Sequence, residues 1–276
     1  MRMRFFTTYI IAFLGMTYVF VVGFLFKRQR NLIYIIGNHF GYSTKIKTQL
    51  KQDGIANILK AVPEITIASS EGVDGNISLY ELNVISMISK LHARNNVFEI
   101  GTFDGRTTLH LALNSPINCC IFTLDLPAKQ IDEVKYPLAT YEKVYVNKPV
   151  SGSRFLEHPL SSKIKQMYGD SATFDFSPYY NLCDIVFVDG SHAYEYVLND
   201  TMQAIKLLTK EGGIILWHDC GIWNGVTQFM NAFNQKFPNK LVQVNGTSIV
   251  FSEFNKDDIV RAQTVLRQFE KSNLQA

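Results

Sequence analysis

Residues 97–108 read V-F-E-I-G-T-F-D-G-R-T-T. An apolar strand runs to an acid, Glu99, and on into a tight turn that holds Gly101 and Gly105. Behind the turn, Leu109, Leu111, Ala112 and Leu113 predict an apolar helix. Glycines at a strand-to-helix turn let a ligand press against the backbone, because no Cβ stands in the way. The spacing is G-x-x-x-G, not the G-x-G-x-x-G that sets a dinucleotide pyrophosphate on a helix N-terminus, which disfavours a dehydrogenase. An acid inside the turn repels phosphate and attracts an ammonium group. Simple close packing of strand on helix also places glycines here, so the neighbouring segments decide between the two.

Residues 119–127, C-C-I-F-T-L-D-L-P, form a second apolar strand that ends at Asp125. An acid just over twenty residues past the glycine turn is placed to hold two ribose hydroxyls, where otherwise it would be a turn or cap residue. A third strand, K-I-K-Q-M-Y-G-D-S (163–171), ends in Gly169, Asp170 and Ser171. A fourth, C-D-I-V-F-V-D-G-S-H (183–192), ends at Asp189 with His192 just beyond. After a helix from about Tyr194 to Leu208, the fifth, G-G-I-I-L-W-H-D-C (212–220), ends in His218 and Asp219. These are continuous apolar runs, as expected when helices cover both faces of a sheet. Their polar residues fall at the C-terminal tips, where ligands bind in open α/β sheets. A ribose acid beside a phosphate-averse turn fits S-adenosylmethionine, a cationic and phosphate-free cofactor. The expected cofactor-binding set is Glu99, Gly101, Thr102, Asp104, Gly105, Asp125, Leu126, Asp170, Ser171 and Asp189.

From about Gly75 to Ser252 the chain resembles a class I S-adenosylmethionine-dependent methyltransferase. The resemblance is to small O-methyltransferase-like domains of bacterial glycan and secondary-metabolite pathways, and more distantly to catechol O-methyltransferase. It rests on E-I-G-T-F-D-G-R-T-T, T-L-D-L-P, Y-G-D-S, D-I-V-F-V-D-G-S-H-A-Y-E-Y-V-L-N-D and L-L-T-K-E-G-G-I-I-L-W-H-D, in family order. It implies an α/β, Rossmann-like sheet, mostly parallel with its last strand antiparallel. It also implies methyl transfer to a hydroxyl of a glycan, a lipid-linked sugar or a secondary metabolite. In catechol O-methyltransferase the acids matching Asp189 and Asp219 bind a divalent metal, and an Asn follows the second acid; here Cys220 stands in that place. Relatives acting on sugars and antibiotics carry an acid before the second aspartate; here that residue is His218. Two arrangements stay open. In one, His192 is a general base with Asp189 beside it, since imidazole titrates near neutral pH. In the other, Asp189, His218 and Asp219 hold Mg²⁺ or Mn²⁺. A catalytically inactive cofactor-binding or scaffold protein is the alternative function. The presence of Glu99, Gly101, Asp125 and His192 together favours the enzyme.

Outside this region, residues 5–26 hold no charged side chain. As one helix they would span roughly 33 Å, enough for a bilayer core of about 30 Å. The run is longer than a signal peptide's apolar core and leads straight into Lys27, Arg28 and Arg30, which predicts an uncleaved transmembrane anchor. The basic residues after it, with a cytosolic cofactor, favour a single-pass membrane protein with a cytoplasmic catalytic domain. Ile46, Leu50, Ile55 and Leu59 among lysines read as an amphipathic helix over 44–60, lying on an anionic membrane surface or packed on the domain. The expected organisation is an anchor over 1–30, a juxtamembrane linker over 31–75, the methyltransferase domain over 76–254 and a C-terminal helix over 255–276. Within it, Ser78 and Glu81 are spaced like a capping box ahead of a helix over 77–91. Gly221 to Phe237 reads as a further helix, and Leu241–Val244 with Ser248–Phe251 as an antiparallel pair around Asn245–Gly246. The net charge of +3 leaves no nucleic-acid footprint. Cys119, Cys120, Cys183 and Cys220 have no ligand spacing and read as reduced thiols.

Overall fold

The computed structural model describes residues 2–26, 29–30, 32–33, 36, 45–138 and 141–273. The chain divides into two units, Met1–Lys45 and Ile46–Ala276.

The second unit is built on one eight-stranded sheet. Its strands are β1 (Lys51–Asp53), β2 (Asn96–Ile100), β3 (Cys120–Asp125), β4 (Ile164–Tyr168), β5 (Ile185–Val188), β6 (Gly212–Trp217), β7 (Val242–Val244) and β8 (Val250–Asn255). Their order across the sheet is β1-β7-β8-β6-β5-β2-β3-β4. The five strands expected from the apolar runs form one parallel block, β6-β5-β2-β3-β4. The last strand, β8, runs antiparallel to both β6 and β7, with Asn245–Gly246 in the turn between β7 and β8.

The central strands are apolar throughout because each face has its own cover. Phe98, Ile100, Val186, Val188, Ile215 and Trp217 pack with the helices Tyr194–Leu207, Asn224–Lys236 and Lys256–Asn273. The alternate residues, Val97, Ile185, Phe187, Ile214 and Leu216, pack with Leu79–His92 and Arg106–Leu113. Burying each such side chain is worth about 1.5–3 kcal/mol, so both faces contribute. The helix Leu79–His92 opens with the predicted capping box: Ser78 Oγ accepts from Glu81 N at 3.2 Å, and Glu81 Oε2 accepts from Ser78 N at 3.0 Å.

Two expectations are corrected. Over 44–60, no amphipathic helix forms among the described residues. Lys51–Asp53 instead pairs in parallel with Val242–Val244, and only Ile55–Leu59 is helical. The backbone ladder to β7 overrides the helical spacing of the side chains. In the first unit, the helix Arg2–Val21 is followed by a 3₁₀ turn, Gly23–Leu25, so the apolar run is not one helix. From Phe5 to Val21 the helix rises roughly 26 Å, short of a hydrocarbon core of about 30 Å. Among the described residues, no helix is long and apolar enough to cross a membrane. The flanking Lys27 and Arg28 lie outside the described residues.

Candidate active site

The C-terminal tips of the parallel strands surround one pocket. At one end lie Thr102, Asp104, Asp125, Leu126, Asp170 and Ser171; at the other lie Asp189, His192, His218 and Asp219. The connection between β3 and β4 supplies a wall through Glu142, Tyr145 and Lys148.

The glycine turn works differently from the expectation. Gly101 has φ +103°, and a Cβ there would collide with the carbonyl oxygen of Asp189. Its bareness lets the β2 tip pack on the β5 tip while its backbone still borders the pocket. Gly105, at φ +84°, does not line the pocket; a Cβ there would strike the Phe155 ring and Gly152. Glu99 does not reach the pocket either. It is fully buried, and Oε2 accepts from the hydroxyls of Thr108 and Thr123, the latter at 2.6 Å. Burial outweighs these hydrogen bonds and pushes its pKa up to about 8. Glu99 therefore ties β2 to β3 and to the helix Arg106–Leu113.

The remaining acids at this end are already engaged by the chain. Asp104 accepts from Arg154 Nε at 2.7 Å, Asn76 Nδ2 at 2.9 Å and Arg106 N at 3.0 Å. Asp170 accepts from Lys135 N at 2.8 Å and Ala172 N at 3.0 Å. Asp125 Oδ2 meets Lys148 Nζ at 2.6 Å and the Ser151 hydroxyl, and Oδ1 receives Phe103 N at 3.3 Å.

The other end is a chain of alternating acids and imidazoles. Asp189 Oδ1 lies 3.0 Å from His218 Nδ1, which is 3.3 Å from Asp219 Oδ2. Asp219 Oδ2 lies 2.7 Å from His192 Nε2. A glutamate stands behind each imidazole: Glu142 Oε1 at 3.1 Å from His192 Nδ1, and Glu81 Oε1 at 3.5 Å from His218 Nε2. Burial favours neutral imidazoles, but the acids win. Asp219 and Glu142 push His192 up to about 9, and Asp189 and Asp219 hold His218 well above its ordinary value. Burial would raise Asp219, yet His218 and His192 hold it far below the usual carboxylate range. Asp219 sits at φ +68°, a left-handed conformation that is uncommon outside glycine and turns its carboxylate between the two rings. The Trp223 ring stacks on Tyr141, with centroids 4.4 Å apart, and on His192 at 5.0 Å.

The expected metal set also converges. Asp189, His218 and Asp219 each offer a ligand atom, all within 4.8 Å of one another. Two carboxylates and an imidazole suit Mg²⁺ or Mn²⁺, and the cation would replace the proton that these acids hold on His218. Cys220 is buried, with Sγ 3.8 Å from the Thr48 hydroxyl, and does not line the pocket. Glu142, Lys148 and Trp223 carry no motif signal and escape a reading of the sequence. Glu81 is legible as a cap, but not as the neighbour of His218.

Residues 98–220 match a family model described as a methyltransferase domain. The match falls on the parallel block and its strand-tip pocket, the region whose motifs carry the resemblance to class I methyltransferases. Among solved structures it is similar to the O-methyltransferase TomG from Streptomyces achromogenes, involved in tomaymycin synthesis and bound to SAM. The two share 15% identity over 75% of this chain and 92% of that one, with a TM-score of 0.48. The SAH-bound methyltransferase PaMTH1 from Podospora anserina shares 18% identity over 67% and 81%, with a TM-score of 0.48. An O-methyltransferase from Bacillus cereus in complex with SAH shares 15% identity over 72% and 89%, with a TM-score of 0.44. No curated protein matches the chain.

Proposed function

We propose that this protein transfers the methyl group of S-adenosylmethionine to a hydroxyl of a small acceptor: a glycan, a lipid-linked sugar or a secondary metabolite. The observation that carries this is a single pocket with Asp125 at one end and the Asp189–His218–Asp219–His192 chain at the other. When bound, S-adenosylmethionine supplies a methyl group on a sulfonium. Asp125 accepts the ribose hydroxyls, and the backbone of the Gly101 turn closes on the cofactor. Asp219 holds His192 through Nε2, and the neutral form of the ring, which gains population as pH rises toward about 9, takes the acceptor's proton. The imidazolium so formed lies between Asp219 and Glu142, which stabilise it. Asp189, His218 and Asp219 would hold a divalent cation, which would supply Lewis-acid activation of the acceptor hydroxyl. A non-catalytic scaffold would have no use for this charged chain at the far end of the pocket from Asp125.

The test is full-length protein with methyl-labelled S-adenosylmethionine and fractionated cell glycans and lipids, with and without chelator. Label should enter a hydroxyl as a base-stable ether, and His192→Ala should cut the rate by about 10²–10⁴-fold. Binding of the cofactor with no transfer to any fraction would favour the scaffold.

The N-terminal unit is assigned to a membrane surface, with the catalytic unit on the cytoplasmic side where S-adenosylmethionine is made. The support is the exposure of the large apolar side chains Phe5, Ile11, Phe13, Phe20 and Leu25 on this unit.

A further inference from the structure

We infer that Glu142 is a positioning residue for His192, and this rests on the transfer reaction proposed above. Glu142 comes from none of the motifs. It lies in the connection between β3 and β4, at the start of the short helix Glu142–Val146. Its side chain is only 5% exposed, and a carboxylate is costly to bury unless it answers a partner. Its Oε1 accepts from His192 N at 2.7 Å and from the Ser191 hydroxyl at 2.9 Å, and lies 3.1 Å from His192 Nδ1. Glu142 thus fixes the main chain that carries the imidazole and sets a negative charge beside the ring's Nδ1.

Asp219 meets the opposite nitrogen at 2.7 Å, so the ring is held from two sides by acids from different parts of the chain. The Tyr141 and Trp223 rings, stacked 4.4 Å apart, lie next to this arrangement, and Trp223 also stacks on His192. In the reaction the acceptor's O–H bond breaks and its proton moves to the neutral His192 imidazole. The oxygen takes the methyl group, and the C–S bonding pair returns to sulfur. Glu142 touches neither the methyl group nor the acceptor oxygen; it acts through His192 by orienting the ring and offsetting the charge that the proton brings.

The experiment compares full-length wild type, Glu142→Gln and Glu142→Ala. Glutamine keeps an acceptor for His192 N and for Ser191 but removes the charge. Three quantities are read: S-adenosylmethionine affinity by calorimetry, kcat and acceptor KM, and the ¹⁵N signals of the His192 imidazole, assigned by their loss in His192→Ala. Glu142→Gln should leave cofactor affinity within about 3-fold, lower kcat by at least ~10-fold with acceptor KM nearly unchanged, and shift the His192 Nδ1 signal. Glu142→Ala should lose more. If the alanine variant does not fold, the near-isosteric glutamine variant carries the test. Unchanged kcat and unchanged imidazole signals in Glu142→Gln would overturn the inference, as would a fall in melting temperature alone. If the wild type methylates no hydroxyl, the reaction fails, while the imidazole signals still decide whether Glu142 sets His192.

Discussion

Glu99 illustrates how an acid in a conspicuous motif can serve the fold. Its side chain lies on the face of β2 shared with Val97, beneath the helix Arg106–Leu113. Strand alternation in β2 points it there, whereas its nearness to Gly101 in the sequence suggests the pocket. Its folded pKa, about 8, exceeds the ordinary value of 4.5, so between these values the folded chain holds a proton that the unfolded chain has lost. The resulting stability is complete below about pH 4.5 and is lost as pH rises through about 8, and it is of the order of a few kcal/mol. Asp200, fully buried and raised to about 7, acts in the same direction. Urea unfolding from pH 5 to pH 9 should show stability declining with pH, less steeply in Glu99→Gln and least in Glu99→Gln with Asp200→Asn. A wild-type profile flat across that range would contradict the assignment. Asp189, His192, His218 and Asp219 were legible because each sits at or just past a strand tip. Their exact partners were not, because Glu81 and Glu142 arrive from segments distant in sequence.

Among the elements, β2, β3, β5 and β6 were legible because a strand buried on both faces has no polar side to disguise it, whereas the edge strand β4, Ile164–Tyr168, was legible by the Gly169–Asp170–Ser171 tip that follows it. The helix Leu79–His92 was legible from its cap, and Ser78→Ala should cost about 0.5–2 kcal/mol by denaturant unfolding with an unchanged slope. A loss below ~0.3 kcal/mol would mean that Glu81, which also accepts from Ser248 N and Oγ at 2.8 Å, holds the helix start without Ser78. By contrast, β1 was hidden. Three residues are too short for a periodic pattern, and its stability comes from β7, nearly two hundred residues away. The connection between β3 and β4 was hidden for a similar reason. It has little regular structure, yet it brings Glu142 to His192 and Lys148 and Ser151 to Asp125.

For the molecule as a whole, the sequence made an apolar N-terminal run obvious but not where its helix would stop. The 3₁₀ turn after Val21 shortens it, and no spanning helix results among the described residues. The exposed apolar side chains remain, so full-length protein should sediment with membranes, and residues 46–276 alone should not. Equal distribution of both between pellet and supernatant would contradict a lipid role for the first unit. The fragment should still bind cofactor, since the whole pocket lies within the second unit. The central claim is that this pocket holds S-adenosylmethionine through Asp125, with the chemistry at its far end. Calorimetric titration of S-adenosylmethionine into wild type, Asp125→Ala and His192→Ala tests it most directly. Asp125→Ala should bind about 1.5–3 kcal/mol more weakly, roughly 10-fold to 150-fold, and His192→Ala should bind like wild type. Equal affinity in wild type and Asp125→Ala, or no binding by wild type, would contradict it.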